Sequence, residues 1–375
     1  MFLSMFLCFS CNVVPRTERD ILNGDGVSVL PGLGRAELSR RWRCEPASPA
    51  REREMENSSS ESLPWMGTGR SGCTFQEKFK NILLPVTYTV VLVLGMALNL
   101  TVMVHILCSG RPLTKTAIYT LNLAAADALY VCSLPLLIYN YIRMDYWPFG
   151  ELACKAVRFL FYANLHGSIL FLTCISIQRY IGICHPLSLW HKRRGPRFAW
   201  RVCGLVWAFV LAECAPTWVF ATTGVQRNRT VCYDLSSPES SAHYFPYGMA
   251  LTVVGFILPF LGLLACDCAM MVALGKTDRR LGLANRQGRV RALRMVAIVA
   301  AVFVVSFLPF HLTKTMYLVV RTRRYVPCQT LQRFAQAYKA TRPLASMNSV
   351  LDPILFYLTH KNFRLGARTL AHGQL

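Results

Sequence analysis

The sequence predicts an all-α membrane protein, a seven-transmembrane helix bundle followed by a short amphipathic eighth helix. Of its 375 residues, 53% are hydrophobic and only 16% are charged, whereas a soluble protein carries about 25% charged residues. Seven apolar stretches are each long enough to cross a bilayer, which takes about 17 to 25 helical residues. They lie near 82–107, 116–141, 153–183, 199–221, 245–274, 292–320 and 332–358.

The connections between the spans predict their orientation. "CSGRPLTK", "HPLSLWHKRRGPR" and "GKTDRRLGLANRQGRVRALR" are rich in basic residues, and seven crossings place all three on one side of the membrane. Cytoplasmic loops retain Lys and Arg, so we expect a multi-pass plasma membrane protein with an extracellular N-terminus. These loops account for much of the formal net charge of +22. No soluble basic domain is visible that would bind nucleic acid.

The opposite side carries features of an oxidising, glycosylating compartment. Asn57 and Asn228 stand in glycosylation sequons, both on the predicted outer side. Four cysteines lie next to outer ends of spans, where disulfides form. The predicted pairs are Cys154 with Cys232, which would pin the second outer loop, and Cys73 with Cys328.

The ends of the chain differ from the membrane domain at 82–358. Residues 1–54 lack the basic lead of a secretory signal. We interpret them as disordered or as an upstream extension, with a cleaved signal peptide as the alternative. Residues 55–81 are predicted to form an extracellular segment. Residues 359–375 combine an amphipathic helix with a short cytoplasmic tail.

Polar residues at similar depth in several spans predict an ion site. These residues are Asp127, Ser168, Asn348 and Asp352, and Asn99 is predicted at the same depth. Two buried acids without a basic partner need a proton or a small cation, and amide and hydroxyl oxygens suit a hard ion. The sequence thus favours a sodium-type site, with a water-filled polar network as the alternative. It indicates no other metal site and no cofactor.

A second group of polar residues lies nearer the outside and is basic: Arg158, Lys314, Lys339 and Arg342, on three spans. Such cations repel one another unless an anion joins them, and arginine binds phosphate or carboxylate with two hydrogen bonds. Lys314 and Lys339 could instead extend to the interface, but we expect Lys314 to face a cavity. Side chains within a turn that could contact a base are Phe161, Tyr162, His311 and Tyr317. The group predicts a phosphorylated aromatic ligand.

Two other classes of membrane protein fit less well. A transporter for organic anions would need cations in a midplane cavity, but the paired helix breaks of such transporters are not seen. An intramembrane enzyme would need paired ligands or acid and base groups. His185 and His191 lie in a basic loop, and no HExxH motif occurs.

Several motifs in order resemble rhodopsin-like (class A) G protein-coupled receptors, over nearly all of 75–366. They are "GMALNLTVM", "LNLAAADALY", "SIQRYIGICHPL", "FLPFH" and "NSVLDPILFY". Within that class, "FLPFHLTKTMY" and "AYKATRPLASMNSVLDPILF" look like the purinergic and pyrimidinergic receptors for extracellular nucleotides. "WPFGELACKAVRFLFYANLHGS" and "VQRNRTVCYDLS" are most similar to the pyrimidinergic receptors that respond to UDP.

This resemblance implies a ligand and a signalling route. Arg158, Lys314 and Arg342 match the cations that receive phosphates, with His311, Tyr317 and Lys339 beside them. It implies a receptor for UDP that couples to Gq and phospholipase C, raises inositol phosphates and calcium, and has arrestin as a further partner. ADP, UTP, nucleotide sugars and acidic lipids are alternative ligands.

The resemblance also implies a switch. Arg179, before Tyr180 in "QRY", matches the arginine that meets the G protein, and Pro309 matches the hinge of the sixth span. Pro353 belongs to the "DP" motif of the seventh span.

Three switch positions depart from the family pattern: Gln178 where an acid is usual, Phe307 where a tryptophan is common, and Phe356 where a tyrosine is common. Without the acid, a charged clamp on Arg179 is missing. We therefore expect measurable ligand-free signalling.

Overall fold

The computed structural model describes residues 78–110, 112–185, 195–226, 228–237, 240–281, 286–323 and 325–359. The predictions for residues 1–54, for Asn57 and Cys73, and for the eighth helix therefore lie outside the described residues.

Long helices account for most of the described chain, as the apolar stretches predict, and they confirm the seven-helix bundle. The helices are α1 (Lys80–Cys108), α2 (Lys115–Ile142), α3 (Gly150–Cys184), α4 (Pro196–Phe220), α5 (Ser241–Thr252, Val253–Ile257 and Leu258–Leu281), α6 (Arg286–Thr322) and α7 (Cys328–Thr359). Single π-helical turns interrupt α1 at Val91–Gly95 and α5 at Val253–Ile257. Helix α4 consists of Pro196–Cys214 and a short turn, Thr217–Phe220.

The seventh helix differs from the others in polarity. Among the described residues, six helices, α1 to α6, are long and apolar enough to cross a membrane. Helix α7 has 32 residues, but Arg342, Asn348, Ser349 and Asp352 are among its buried side chains. Its polar face turns into the bundle, where charged groups in membrane proteins are normally found.

An aromatic layer fills the middle of the bundle between α5 and α6. The rings of Phe256, Phe260 and Phe303 stack nearly parallel, with centroids 5.4 to 6.2 Å apart. Phe307 meets Phe303 edge to face at 5.0 Å. Pro309 follows within α6, where it removes one backbone hydrogen bond and permits bending. On α6 the layer therefore lies directly before the helical turn that carries His311 and Lys314, on its predicted cytoplasmic side.

A β-hairpin closes the outer side. Strands β1 (Thr223–Gln226) and β2 (Arg229–Cys232) pair antiparallel. Asn228 lies exposed at the turn with φ 60°, a left-handed conformation that asparagine tolerates. A disulfide joins Cys232 to Cys154 near the outer end of α3, with Cα atoms 5.7 Å apart. The chain that follows β2 is thereby held beside the outer ends of the helices.

Candidate functional site

Two predicted ligand-binding arginines meet at one carboxylate in the outer loop. The Nη1 atoms of Arg158 and Arg342 each lie 2.7 Å from Oδ1 of Asp234. Both arginine side chains are 1% exposed and that of Asp234 is 19% exposed. Asp234 comes two residues after Cys232, so the disulfide and the hairpin position it. Sequence reasoning identified the cations but missed this acid.

Further contacts fix both guanidinium groups. Arg158 Nη2 donates to the carbonyl of Cys232 at 3.2 Å. Arg342 Nη1 donates to the Tyr141 hydroxyl, also at 3.2 Å. The Arg342 guanidinium lies 4.8 Å from the ring centroid of Phe161, close enough for a cation–π interaction. Arg342 is therefore held by a charge, a hydroxyl and an aromatic face.

The charges around Asp234 do not balance. Burial raises the pKa of Asp234, but Arg158, Arg342 and Lys339 lower it by more, so that it lies well below its usual range. The carboxylate is therefore ionised at physiological pH. Two buried arginines share this one carboxylate, so the group of Arg158, Arg342 and Asp234 carries one formal positive charge in excess, which an anionic ligand could neutralise.

An aromatic ring lies beside Lys314, the residue that the sequence predicts to face a cavity. Its side chain is fully buried, and Nζ lies 4.7 Å from the ring centroid of Tyr162. Within the described part of the chain, Nζ has no hydrogen-bond partner. The aromatic face of Tyr162 therefore supports the ammonium group, since a ring can stabilise a desolvated cation.

His311 lies one helical turn inside Lys314 and stacks on Phe256, with ring centroids 4.1 Å apart. The ring of His166 on α3 is 5.9 Å away. His166 Nδ1 lies 3.2 Å from Oε1 of Glu213 on α4. His166 and Glu213 were missed, although an acid inside the apolar stretch "VLAECAPTW" is a recognisable signal.

The remaining outer residue, Tyr317, belongs to the rim. Its ring stacks on Tyr338 at 5.6 Å, and the Arg321 guanidinium lies 6.0 Å from the Tyr317 ring. Arg321 Nη2 also donates to the carbonyls of Ser236 and Ser237 at 3.1 Å. The rim of α6 thus holds the loop that carries Asp234.

The deep polar residues form a hydrogen-bonded chain across four helices. The Ser349 hydroxyl donates to Oδ1 of Asp127 at 2.7 Å and accepts from Asn164 Nδ2 at 3.1 Å. Asn99 Nδ2 donates to the Ser349 carbonyl at 2.7 Å. The sequence analysis did not include Asn164 and Ser349 in this group.

The predicted oxygen ligands surround this chain. Asp352 is 3% exposed and interacts electrostatically with Asp127, and Ser168 is fully buried. Where the structure describes the chain, Oδ2 of Asp127 and Oγ of Ser168 lack hydrogen-bond partners, and Asn348 is the polar neighbour of Asp352. These oxygens suit a small hard cation. The described residues contain no cluster of three His, Cys, Asp or Glu that could hold another metal.

At the inner end, Arg179 has an acidic neighbour that the sequence did not predict. Asp267 on α5 is 2% exposed and acts on Arg179 at long range, while neither of its carboxylate oxygens has a hydrogen-bond partner among the described residues. The Cys184 thiol lies 3.9 Å from the carbonyl of Ala269, which shows that α3 and α5 are in contact at this level. Asp267 therefore places a negative charge near Arg179 without a direct contact. Measurable ligand-free signalling stays a prediction.

The other switch positions pack into the bundle. Phe307 is fully buried and Phe356 is 7% exposed. The hydroxyl of Tyr357, the residue after Phe356, donates to the Leu98 carbonyl at 3.4 Å. The hydroxyl of Tyr180 hydrogen-bonds Nε2 of His185 at 3.2 Å.

The second predicted disulfide is described at one of its ends. Cys328 is disulfide-bonded, whereas Cys73, its predicted partner, lies outside the described residues.

The chain is similar in sequence to known seven-transmembrane receptors. Residues 98–356 match the model of the 7 transmembrane receptor (rhodopsin family). The chain is 62% identical to purinoceptor 3 of Meleagris gallopavo over 302 residues, which are 80% of this chain and 92% of the relative. It is 64% identical to purinoceptor 6 of Rattus norvegicus over 292 residues (78% and 89%). The human purinoceptor 6 is 59% identical over 311 residues (83% and 94%).

Proposed function

Because the chain belongs to the rhodopsin family of seven-transmembrane receptors, it is a multi-pass membrane receptor and not an enzyme, and we propose that its ligand is an extracellular nucleotide, UDP in particular. The relatives named purinoceptors support a nucleotide, since the aligned region covers most of both chains. The choice of UDP rests on motifs that resemble those of UDP-responsive receptors.

The observation that carries this proposal is the excess of positive charge around Asp234. Arg158 and Arg342 are buried and share one carboxylate oxygen. A diphosphate brings several oxygens that accept charge-assisted hydrogen bonds from planar guanidinium groups. On binding, it would replace or join Asp234, and Lys314 and Lys339 would add point charges.

The aromatic side chains around these cations support a ligand with a planar base. Phe161 already stacks with Arg342, and Tyr162 covers Lys314. A base could take over such contacts, because stacking on aromatic rings suits any base. His311 supplies ring nitrogens that could hydrogen-bond the ligand. ADP, UTP, nucleotide sugars and acidic lipids share the anionic group and are the alternative ligands.

The proposed signalling route begins with an extracellular N-terminus, as the basic connections favour. Ligand binding at the outer cations would swing the inner part of α6 outward about a hinge at Pro309. This movement would expose Arg179 to a G protein of the Gq class. Phospholipase C would then raise inositol phosphates and calcium, and arrestin would be a further partner. We also assign a sodium-type site to Asp127, Ser168, Asn348 and Asp352.

A calcium assay on cells expressing this chain tests the proposal with UDP, UTP, ADP, ATP and UDP-glucose. We expect UDP to be the most potent. Arg342→Ala and Lys314→Ala should each lose at least about tenfold in potency, which corresponds to about 1.4 kcal/mol. Arg333→Ala, at an exposed position near the outer end of α7, is the matched control.

Two results would contradict the proposal. Unchanged UDP potency in Arg342→Ala would remove the phosphate assignment. Uptake of labelled UDP without a calcium response would favour a transporter for organic anions instead.

A further inference from the structure

A cluster of polar side chains lies between α3, α4, α5 and α6, inside the proposed ligand site. Lys314 and His166 are fully buried, His311 is 1% exposed, and the side chain of Glu213 is 9% exposed. Several of their atoms lack a hydrogen-bond partner within the described residues: Lys314 Nζ, both ring nitrogens of His311, His166 Nε2 and Glu213 Oε2. Unpaired polar atoms are costly in such surroundings, so the cluster requires an explanation.

Lys314 needs a negative charge, and most of the other described acids are paired with cations elsewhere or belong to other groups. Among the described residues, Asp145 pairs with Lys80, Glu151 with Lys155, and Asp234 with Arg158 and Arg342. Asp127, Asp267 and Asp352 belong to the deep and inner groups described above. Glu213 remains. Cys214 and then Glu213 are the two groups whose negative charge would favour the ammonium form of Lys314, and because a thiol is ordinarily neutral at physiological pH, the carboxylate is the one that supplies a charge.

Contacts between the helices connect Glu213 to Lys314. Oε1 of Glu213 lies 3.2 Å from His166 Nδ1. The His166 ring lies 5.9 Å from that of His311, and His311 is one helical turn from Lys314 on α6. The carboxylate accepts from the ring, so the pair fixes Nδ1 of His166 as a donor.

Gly255 on α5 makes room for this pair. A methyl group added at Gly255 would overlap both His166 Nδ1 and Glu213 Oε1. Glycine in the π-helical turn Val253–Ile257 therefore allows the acid and the imidazole to meet. An alanine there would displace the pair without removing either charge.

We propose that Glu213 is a positioning residue of the ligand site: held by His166 beside Gly255, it is the resting counter-charge of Lys314, with which the ligand's phosphates compete. The competition with phosphates rests on the proposed nucleotide receptor function, whereas the coupling between Glu213 and Lys314 does not. Removing the Glu213 charge leaves the charge of Lys314 uncompensated, so Lys314 attracts the incoming anion more strongly, and this effect grows with the charge of the ligand.

The coupling is tested on the purified full-length receptor without ligand. Thermal unfolding is measured for the native chain, Glu213→Gln, Lys314→Met and the double variant. Each single variant should lower the Tm, because it leaves one buried charge unmatched. The double variant should lose less than the sum of the two single losses. Additive losses would overturn the proposal.

The ligand competition is tested with UMP, UDP and UTP in the calcium assay. Glu213→Gln and Gly255→Ala should raise potency, and the gain should be about threefold larger for UTP than for UMP. The gain should vanish in a Lys314→Met background. Gly204→Ala, which meets no atom within 4 Å, is the matched control.

An equal shift for all three nucleotides, or a gain that persists without Lys314, would overturn the proposed competition. If either Glu213→Gln or Gly255→Ala does not reach the cell surface, the remaining one of these two variants decides the test. The first removes the carboxylate charge, whereas the second displaces the contact between Glu213 and His166. A native chain that responds to no nucleotide would contradict the proposed function, while the unfolding cycle would still decide whether Glu213 and Lys314 are coupled.

Discussion

Arg158 on α3 and Arg342 on α7 reach the same oxygen atom of Asp234, each at 2.7 Å. Two helices and the outer loop are thus joined through one carboxylate. A ligand phosphate would offer the same arginines more oxygens than Asp234 can. The resting receptor therefore contains an internal substitute for the anion that we propose it binds.

Asp234→Asn should destabilise the unliganded receptor, because it leaves two buried arginines without their shared charge. We expect a loss of about 1 to 3 kcal/mol, reduced from the value for a fully buried pair because Asp234 is partly exposed. Thermal unfolding of the purified receptor measures this. UDP should raise the Tm of the variant more than that of the native chain. Asp145→Asn, in the more exposed pair with Lys80, should change Tm less.

Arg342→Lys should behave nearly like a deletion although it keeps the charge. A lysine cannot reproduce the simultaneous contacts with Asp234, the Tyr141 hydroxyl and the Phe161 face. We expect UDP potency to fall by about tenfold in calcium assays at matched surface expression. Potency within a factor of about two of the native value would show that only charge matters at this position.

Asp127→Asn should abolish the effect of sodium on agonist binding. If a sodium ion occupies the deep site, replacing potassium by sodium at constant ionic strength should weaken UDP binding to the native receptor. The Asn variant should bind equally in both salts. Ser168→Ala should retain part of the effect, because it removes one neutral ligand. A sodium effect that persists undiminished in Asp127→Asn would place the ion elsewhere or exclude it.

Asp267→Asn should raise ligand-free signalling. The substitution removes the acid that interacts with Arg179 and leaves Gln178 as a neutral neighbour. Inositol phosphate accumulation without agonist measures the effect, normalised to surface expression. Gln178→Glu added to this variant should lower the signal again, because it restores an acid beside Arg179. Basal output equal to that of the native chain would show that Asp267 does not restrain Arg179.

The sequence predicts the bundle well because the apolar length required by a bilayer is a strong and local signal. Six helices meet that criterion directly, and the seventh apolar stretch, predicted at 332–358, corresponds to α7 at Cys328–Thr359 in spite of its polar side chains. The resemblance to the receptor family is confirmed by the match over residues 98–356. Helix ends differ by a few residues, as for α3, predicted at 153–183 and observed at Gly150–Cys184.

The partners of the site residues were harder to predict. Asp234 lies in an irregular loop, and only the disulfide and the hairpin bring it to the arginines. Glu213 and Asp267 were visible as acids in apolar spans, but helix rotation decides what each one faces. Lys314 shows the same limit, since its burial against Tyr162 depends on how α3 and α6 pack. Pairing across helices is a long-range property that periodicity does not contain.

The polarity of α7 has a consequence for biogenesis. A segment with an arginine and an aspartate in its membrane-embedded half would enter the lipid poorly by itself, since each such residue adds about 2.5 to 3.5 kcal/mol to insertion at the helix centre. Its integration must draw on helices already present, which offer Tyr141 and the Asp127 network as first contacts. Insertion of α7 then depends on the prior assembly of the earlier helices. A nascent chain in which α2 or α3 is misplaced would fail to insert α7 into the bilayer.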